Sequence, residues 1–425
     1  MEAKCMPLSE GVELICVRSE KFKTGIFSVS LAAPLTREHA TANALAGDVL
    51  YRGSAAYPDI AAISLACDEL YGASVGPSVR QRGESQSLCF SASFLDDRYA
   101  LDGTAVLEPA LGLVSELLLH PLTQGGVFRE DYVKSEGANL ADQIRARVND
   151  KRGWAMFRLL QEMCAGEAYA LDKLGDEREA EEMDAGVLWT RYQALVRTAR
   201  VVFYYGGAAA PERVEEAVRR YFAPLLTQRS VALPCEVKER AGAVRRVRDH
   251  MDVTQGKLAM GFRTGGVTMN HPDYPALLVC NALYGATSTS RLFMEVRERR
   301  SLCYYASSAI DRFKGIMAVS SGVEFSKFDE AEGEILRQLE EIKKGAFTQQ
   351  ELAAARRAVS AGLRAGLDSQ GRLEDHWTAY ALGGGGLVSP EALIAPVEAV
   401  TARDVCRAAE GITLDTVYQL CGEGE

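Results

Sequence analysis

Histidine is scarce in this chain. Five occur in 425 residues, His39, His120, His250, His271 and His376, and no two fall within one helical turn. A local zinc site of the H-x-x-H or H-E-x-x-H kind needs two imidazoles on one helix face, so that chemistry is excluded and only a site assembled from distant residues stays open. The ten cysteines stand singly, with no C-x-x-C pair, which removes zinc knuckles and redox dithiols. Several, such as Cys89 and Cys280, lie in apolar patterns and read as small core residues of a reducing compartment. No G-x-S-x-G occurs, and Cys303 has no histidine near it in sequence, so a serine or cysteine nucleophile lacks support. The run Gly383 to Gly386 is followed by no Lys-Ser/Thr and reads as a turn rather than a phosphate loop.

Long apolar runs are also missing. None approaches the roughly 20 residues that span a bilayer, and MEAKCMPLSEGVELICV lacks the basic-then-apolar layout of a secretory signal. The expectation is a cytoplasmic protein with no membrane partner. With 48 basic against 58 acidic residues the formal charge is -10, and a nucleic-acid partner, which requires a basic face, is not expected. The richest basic run, Lys238 to Arg248, reads as the solvated entry to a new domain.

What is present is an ordinary globular composition, 25% charged and 47% hydrophobic, in a chain longer than a single typical core. Val12 to Val17, Gly25 to Ala32 and Ser85 to Phe94 read as strands, the last with Leu88, Phe90, Ala92 and Phe94 on one face and Ser87, Cys89, Ser91 and Ser93 on the other. That alternation suits a sheet covered on one side. Helical periodicity marks about Arg37 to Tyr51, Asp59 to Leu70, Arg98 to Leu119, Gly126 to Val148, Arg152 to Met163, Ala185 to Arg197 and Pro211 to Tyr221, with a strand at Val201 to Tyr205. After a Pro-containing, mixed-charge connection the same order returns, from strands near Val244 to Val253 and Lys257 to Phe262 through helices to a strand at Ile412 to Cys421. The expected fold is therefore α+β: two homologous domains, 1–222 and 244–425, joined by a linker at 223–243, each a mainly antiparallel sheet covered on one face by helices.

The stretch Ser290 to Glu324, SRLFMEVRERRSLCYYASSAIDRFKGIMAVSSGVE, says most about function. Ser290 can cap a short helix with Leu292, Phe293 and Val296 on one face, and after Arg300 the period becomes extended. Tyr304 to Ile310 and Ile316 to Val323 form a hairpin across five residues that include Gly315. Arg297 and Tyr304 can converge at the helix-to-strand corner, where a cation and a phenol could hold a peptide carbonyl. The residues alone leave a second reading open, in which Arg297 pairs with Glu295 or Glu298 and Tyr304 is a core strand residue with its hydroxyl at the rim.

That stretch and Pro34 to Tyr99, with VLYRGS at Val49 to Ser54, resemble the insulinase (pitrilysin) family of zinc metallopeptidases, in particular its small bacterial members built of two homologous halves. The family's inverted motif H-x-x-E-H would fall on Ala44-Leu45-Ala46-Gly47-Asp48, so both histidine ligands and the catalytic glutamate are missing. The third ligand, a glutamate on a later helix, would fall near Gln143. Arg297 and Tyr304 match the family's arginine and tyrosine that face the zinc from the second domain and hold the substrate backbone and developing oxyanion. The resemblance thus implies a catalytically inert chain without a cofactor of its own: a pseudoenzyme that serves as the non-catalytic, peptide-binding subunit of a heterodimeric zinc endopeptidase, like that of the mitochondrial processing peptidase. Zinc and the general base are expected in a homologous, motif-bearing partner, and a homodimer is the alternative for the isolated chain. Leu283 to Ser288 carries one glycine where the mitochondrial subunit has a glycine-rich loop. The rival implication is an inert scaffold or peptide-binding protein of the same fold. The chain is also similar to bacterial insulinase-family proteins associated with modification of a translation elongation factor.

Overall fold

The computed structural model describes residues 2–101 and 103–423. The chain forms two compact units, one of residues 1–145, 171–234 and 369–387, the other of 146–170, 235–368 and 388–425.

In the first unit a six-stranded sheet runs β1 (Glu2–Ser9), β2 (Val12–Arg18), then out of sequence to β8 (Arg200–Gly207), β3 (Thr24–Pro34), β5 (Ser85–Leu95) and β4 (Ser74–Arg82). Helices α1 (Arg37–Leu50), α2 (Ile60–Glu69) and α3 (Leu107–Leu119) are followed by a small hairpin of β6 (Thr123–Gln124) and β7 (Val127–Phe128) and by α4 (Glu130–Ala146). The strands expected from sequence are present. Expected helices shift at their starts for local reasons. Arg98 to Tyr99 lie in a tight turn, and α3 begins at Leu107 because the Asp97 carboxylate accepts from the amides of Val106 and Leu107 at 2.8 and 3.1 Å, serving as its cap. Gly125 and Gly126 have φ of 64° and 85°, the left-handed turn of the β6–β7 hairpin, so α4 starts only at Glu130.

Helix α5 (Lys151–Met163) belongs to the second unit, and the chain then returns to the first with α6 (Glu177–Glu181), α7 (Ala185–Thr198), β8 (Arg200–Gly207) and α8 (Pro211–Tyr221). The second sheet contains β9 (Arg245–Met251), β10 (Gly256–Thr264), β11 (Cys303–Asp311), β12 (Ile316–Val323) and β13 (Ile412–Gly422) in the order β11-β12-β10-β13-β9. Its helices are α9 (Tyr274–Asn281), α10 (Phe328–Lys343), α11 (Gln349–Gly366), α13 (Ile394–Ala399) and α14 (Ala402–Glu410), while α12 (Gln370–Leu382) packs in the first unit. Strands β2-β8-β3-β5-β4 and β9-β13-β10-β12-β11 share one topology: the first pair parallel, the next three pairs antiparallel. β1, which the sequence pattern did not single out, extends the first sheet by an antiparallel edge strand.

Relative to the linear division at 223–243, α5 and α12 change places. Each covers the second face of the sheet in the unit it joins. On β3, Phe27, Val29 and Leu31 enter the main core, whereas Ser28 turns the other way and donates to Glu374 of α12 at 2.8 Å. The small-residue face of β5 is likewise enclosed, with Ser87 and Cys89 at 0% exposure. In the second unit Ala155 and Leu159 of α5 pack on Ala259, Ala318, Tyr418 and Leu420. Small residues there let a helix approach the sheet closely, which a solvent-facing strand would not require.

Candidate functional site: a pocket at the helix-to-strand corner

The segment Leu292–Arg299 is a widened helix rather than an α-helix. Its backbone closes long rings, Arg300 N–H to the Glu295 carbonyl at 3.2 Å and Leu302 N–H to the Val296 carbonyl at 3.0 Å. Such insertions recur at functional sites because they re-aim side chains without ending the helix. Ser290 Oγ lies 3.4 Å from the amide of Phe293, a long contact for the expected cap. Leu292 and Val296 are fully buried and anchor the segment, leaving Arg297 half-exposed.

Two backbone irregularities then turn the chain into β11. Ser301 has φ of 51°, a left-handed conformation that costs a non-glycine residue on the order of 1 kcal/mol. In the β11–β12 ladder Cys303 pairs with Val323 and Tyr305 with Gly322, so Tyr304 is the extra residue of a β-bulge. A bulge redirects a side chain and breaks pairing locally. Accordingly Cys303 is 9% exposed and Tyr304 61%.

Arg297 and Tyr304 line one open pocket of about 410 Å³, together with Ser301, Cys303, Glu324 and Lys327. Of the two carboxylates named as partners for Arg297, Glu295 is held by Arg299 at 2.6 Å, while Glu298, which also lines the pocket, forms a long, exposed ion pair with the Arg297 guanidinium at 3.6 Å. That guanidinium lies over the Phe293 ring, 4.6 Å from its centroid, a contact that fixes its position without cancelling its charge. The corner is held from α10. Glu334, 3% exposed in its side chain, takes Arg337 at 2.7 Å and Arg300 at 3.2 Å. β11 is an edge strand of its sheet.

The positions of the inverted motif lie on α1 in the first unit. Ala44 is 2% exposed. At Gly47 an added Cβ would stand 2.9 Å from Leu88 Cδ1 and 3.1 Å from Pro77 Cβ, closer than side chains pack. A side chain at Gly47 would therefore require Leu88 of β5 and Pro77 of β4 to give way. Gln143 is exposed on α4. The carboxylate that α4 directs toward this face of α1 is Glu136, two turns earlier. It is 9% exposed, bound to Arg52 at 2.7 Å and to Asn139 at 2.9 Å. Arg52 also stacks on Tyr132 at 4.8 Å. Sequence reasoning missed Glu136. Its signal was a lone acid within the buried stripe Val133, Gly137, Leu140 and Ala141 of α4. Among the described residues no group of three His, Cys, Asp or Glu donors gathers around Asp48 and Glu136, and Arg52 already supplies Glu136 with a positive partner.

Burial, and then the neighbouring Glu136, pushes the Asp48 carboxyl up from 3.8 to about 6. Folding therefore favours its protonated form: the native state gains nothing below about pH 4, where both states are protonated, and loses stability as pH rises from there through 6. Asp48→Asn is expected to remove that loss and to raise stability at pH 7 by about 1–2 kcal/mol, a figure discounted for the partial exposure of the group. Urea unfolding at pH 7 and pH 4 checks it, since the gain should vanish at the lower pH.

Two sheets of one topology, a degenerate motif helix in the first unit and an Arg/Tyr corner in the second define a protein of the two-domain, peptidase-like α+β class. Residues 183–359 match the model of the family described as Peptidase M16 inactive domain. The chain is 34% identical over 413 residues to the "Probable inactive metalloprotease YmfF" of Bacillus subtilis, covering 97% of this chain and 96% of that one. A conserved protein from Enterococcus faecalis superposes over 100% of both chains with a TM-score of 0.90 at 26% identity. A Peptidase M16 inactive domain from Pseudomonas fluorescens shares the fold with a TM-score of 0.81 at 19% identity, over 100% of this chain and 98% of that one. The chain belongs to the M16 (insulinase/pitrilysin) peptidase family. No helix among the described residues is long and apolar enough to cross a membrane.

Proposed function

We propose that this protein is the non-catalytic, substrate-binding subunit of a heterodimeric M16-type zinc endopeptidase, with Arg297 and Tyr304 contributing to an active site whose zinc and general base reside in a motif-bearing partner chain. The carrying observation is that the guanidinium and the bulge-ejected phenol line one open pocket while the motif helix has Ala44 and Gly47, without a ligand or a carboxylate, at the motif positions. The name of the Bacillus relative, a probable inactive metalloprotease, supports the non-catalytic part of this reading.

In such a site the two side chains act as donors. Arg297 carries a permanent charge and can hold a substrate carbonyl, and Tyr304 O–H can donate to the oxygen on which negative charge grows. Preorganised donors accelerate only where that charge develops. The edge of β11, which starts beside Tyr304 at Cys303, offers backbone groups along which an extended peptide can lie as an added strand. The cytoplasm is the compartment that goes with this reading.

The test is reconstitution. Purified with an M16 homologue that carries H-x-x-E-H, the chain should co-elute as a stoichiometric complex, and the complex should cleave unfolded peptides that neither chain cleaves alone. A chain that stays alone or self-associates in that mixture, with hydrolysis by the partner unchanged, would make an inert scaffold the better description.

A further inference from the structure

The N-terminal end of α5 and the start of β10 bring two cations to one part of the second sheet, and neither has a carboxylate at hydrogen-bond distance among the described residues. Arg152 donates to Ser307 Oγ at 3.1 Å and lies over the Tyr305 ring, 4.4 Å from its centroid. Lys257, on β10 with β12 between it and β11, donates to Gln255 Oε1 at 2.6 Å. The positions are contiguous: a Cβ added at Gly322, Tyr305's partner on β12, would meet the Tyr305 ring at 2.5 Å and Gln255 Oε1 at 3.1 Å. Neither cation takes part in an ion pair among the described residues. The nearest acid, Asp150, caps α5, its Oδ1 accepting from the amides of Arg152 and Gly153 at 3.1 and 3.0 Å, and its charge offsets only part of the effect of burial and of Arg152 on Lys257.

This arrangement is unfavourable as it stands. Two like charges within electrostatic reach of one another, one of them partly buried, raise each other's free energy. Burial first, and then Arg152, lower the Lys257 pKa below its usual value. The side-chain acceptors that the two cations reach, Ser307 Oγ and Gln255 Oε1, are nonetheless neutral. An incoming carboxylate relieves the repulsion and gains charge-assisted hydrogen bonds.

We infer that Arg152 and Lys257 form a subsite for an acidic side chain of an extended peptide lying along β11, so that the substrate class is peptides carrying Asp or Glu in that register. The inference rests on the peptide-binding part of the function proposed above. Side chains of an added strand alternate in direction, and those on the side of Tyr305 and Ser307 pass beside Arg152. The acidic net charge of the whole chain does not oppose this, because a local pair of cations governs a contact at hydrogen-bond distance while distant charges are screened within about 8–10 Å.

The experiment measures binding, not hydrolysis. Fluorescently labelled nonapeptides with amidated C-termini, identical except for a central Asp or Asn, are titrated against the full chain at low salt. The amide leaves the side chain as the one variable carboxylate. The expected result is at least about 10-fold tighter binding of the Asp peptide. That preference should fall below about 2-fold in Arg152→Gln/Lys257→Gln, with affinity for the Asn peptide and the melting temperature unchanged. Equal binding of the two peptides, a preference that survives the double substitution, or no binding of either peptide would overturn it. Since Arg297 and Tyr304 are untouched here, failure of this subsite and failure of the shared active site give different results.

Discussion

Replacing Glu167 by alanine lowers the stability of the second unit by about 3–5 kcal/mol, the cost of removing one partner from a buried charge cluster. Glu167 is 5% exposed and follows α5 in the segment that crosses into this unit. Its carboxylate holds Lys314 at 2.6 Å, Lys238 at 2.9 Å and Arg263 at 3.0 Å. Lys314 and Arg263 are themselves 0% and 1% exposed. Arg263 retains Asp415 at 2.8 Å, but Lys314 would lose the carboxylate that holds it at 2.6 Å. Glu167→Gln keeps the shape and loses the charge, so it should fall between the two. Equilibrium urea unfolding reads both. An Ala variant within 1 kcal/mol of the wild type would show that the cluster is dispensable.

The pH dependence carries the same sign. Burial by itself would raise the Glu167 carboxyl, but Lys314, Lys238 and Arg263 more than reverse this and hold it down at about 2 against 4.5 when unfolded. The group's contribution is complete above about pH 4.5 and disappears as pH falls toward 2. Acid unfolding of the wild type should therefore be steeper between those values than that of Glu167→Gln.

The second large effect falls on chemistry. In the complex with a zinc-motif partner, Tyr304→Phe and Arg297→Ala are each expected to reduce kcat by about 10²- to 10³-fold, the usual cost of one oxyanion donor. Complex formation and the melting temperature should be unchanged. Tyr304 is 61% exposed and Arg297 half-exposed, so neither substitution leaves a cavity. Arg297→Lys keeps the charge but not the planar fork, and it should recover only part of the loss. Because Tyr304 owes its direction to the bulge opposite Val323 and Gly322, its effect should appear in kcat rather than in KM if the phenol meets charge formed only in the transition state.

The duplicated order of strands and helices was legible because each strand carries its own alternation and each turn its own glycine, as at Gly315 with φ of 60°. The corner was legible as a change of period after Arg300. The exchange of α5 and α12 was not, since nothing local in an amphipathic helix says which sheet it will cover. For the same reason the serine side of β5 read as the uncovered face of the sheet, whereas Ser87 is buried. The widened helix and the bulge leave no periodic trace, although they decide where Arg297 and Tyr304 point. The Glu167 cluster joins residues 96 positions apart in sequence, as in its contact with Arg263, beyond any local pattern. Glu136 was within reach as an acid on an apolar stripe, but an anchor taken from the far end of α4 placed the site two turns away, at Gln143.

The central claim is that this chain completes an active site it cannot run alone. A displacement titration tests it most directly: a preformed complex of the wild-type chain and its zinc-motif partner is mixed with increasing amounts of the Arg297→Ala/Tyr304→Phe chain, and peptide hydrolysis is followed after exchange. If the two side chains serve the partner's chemistry, activity falls in proportion to the fraction of complexes holding the variant. Activity that stays constant while the variant demonstrably replaces the wild-type chain would contradict it.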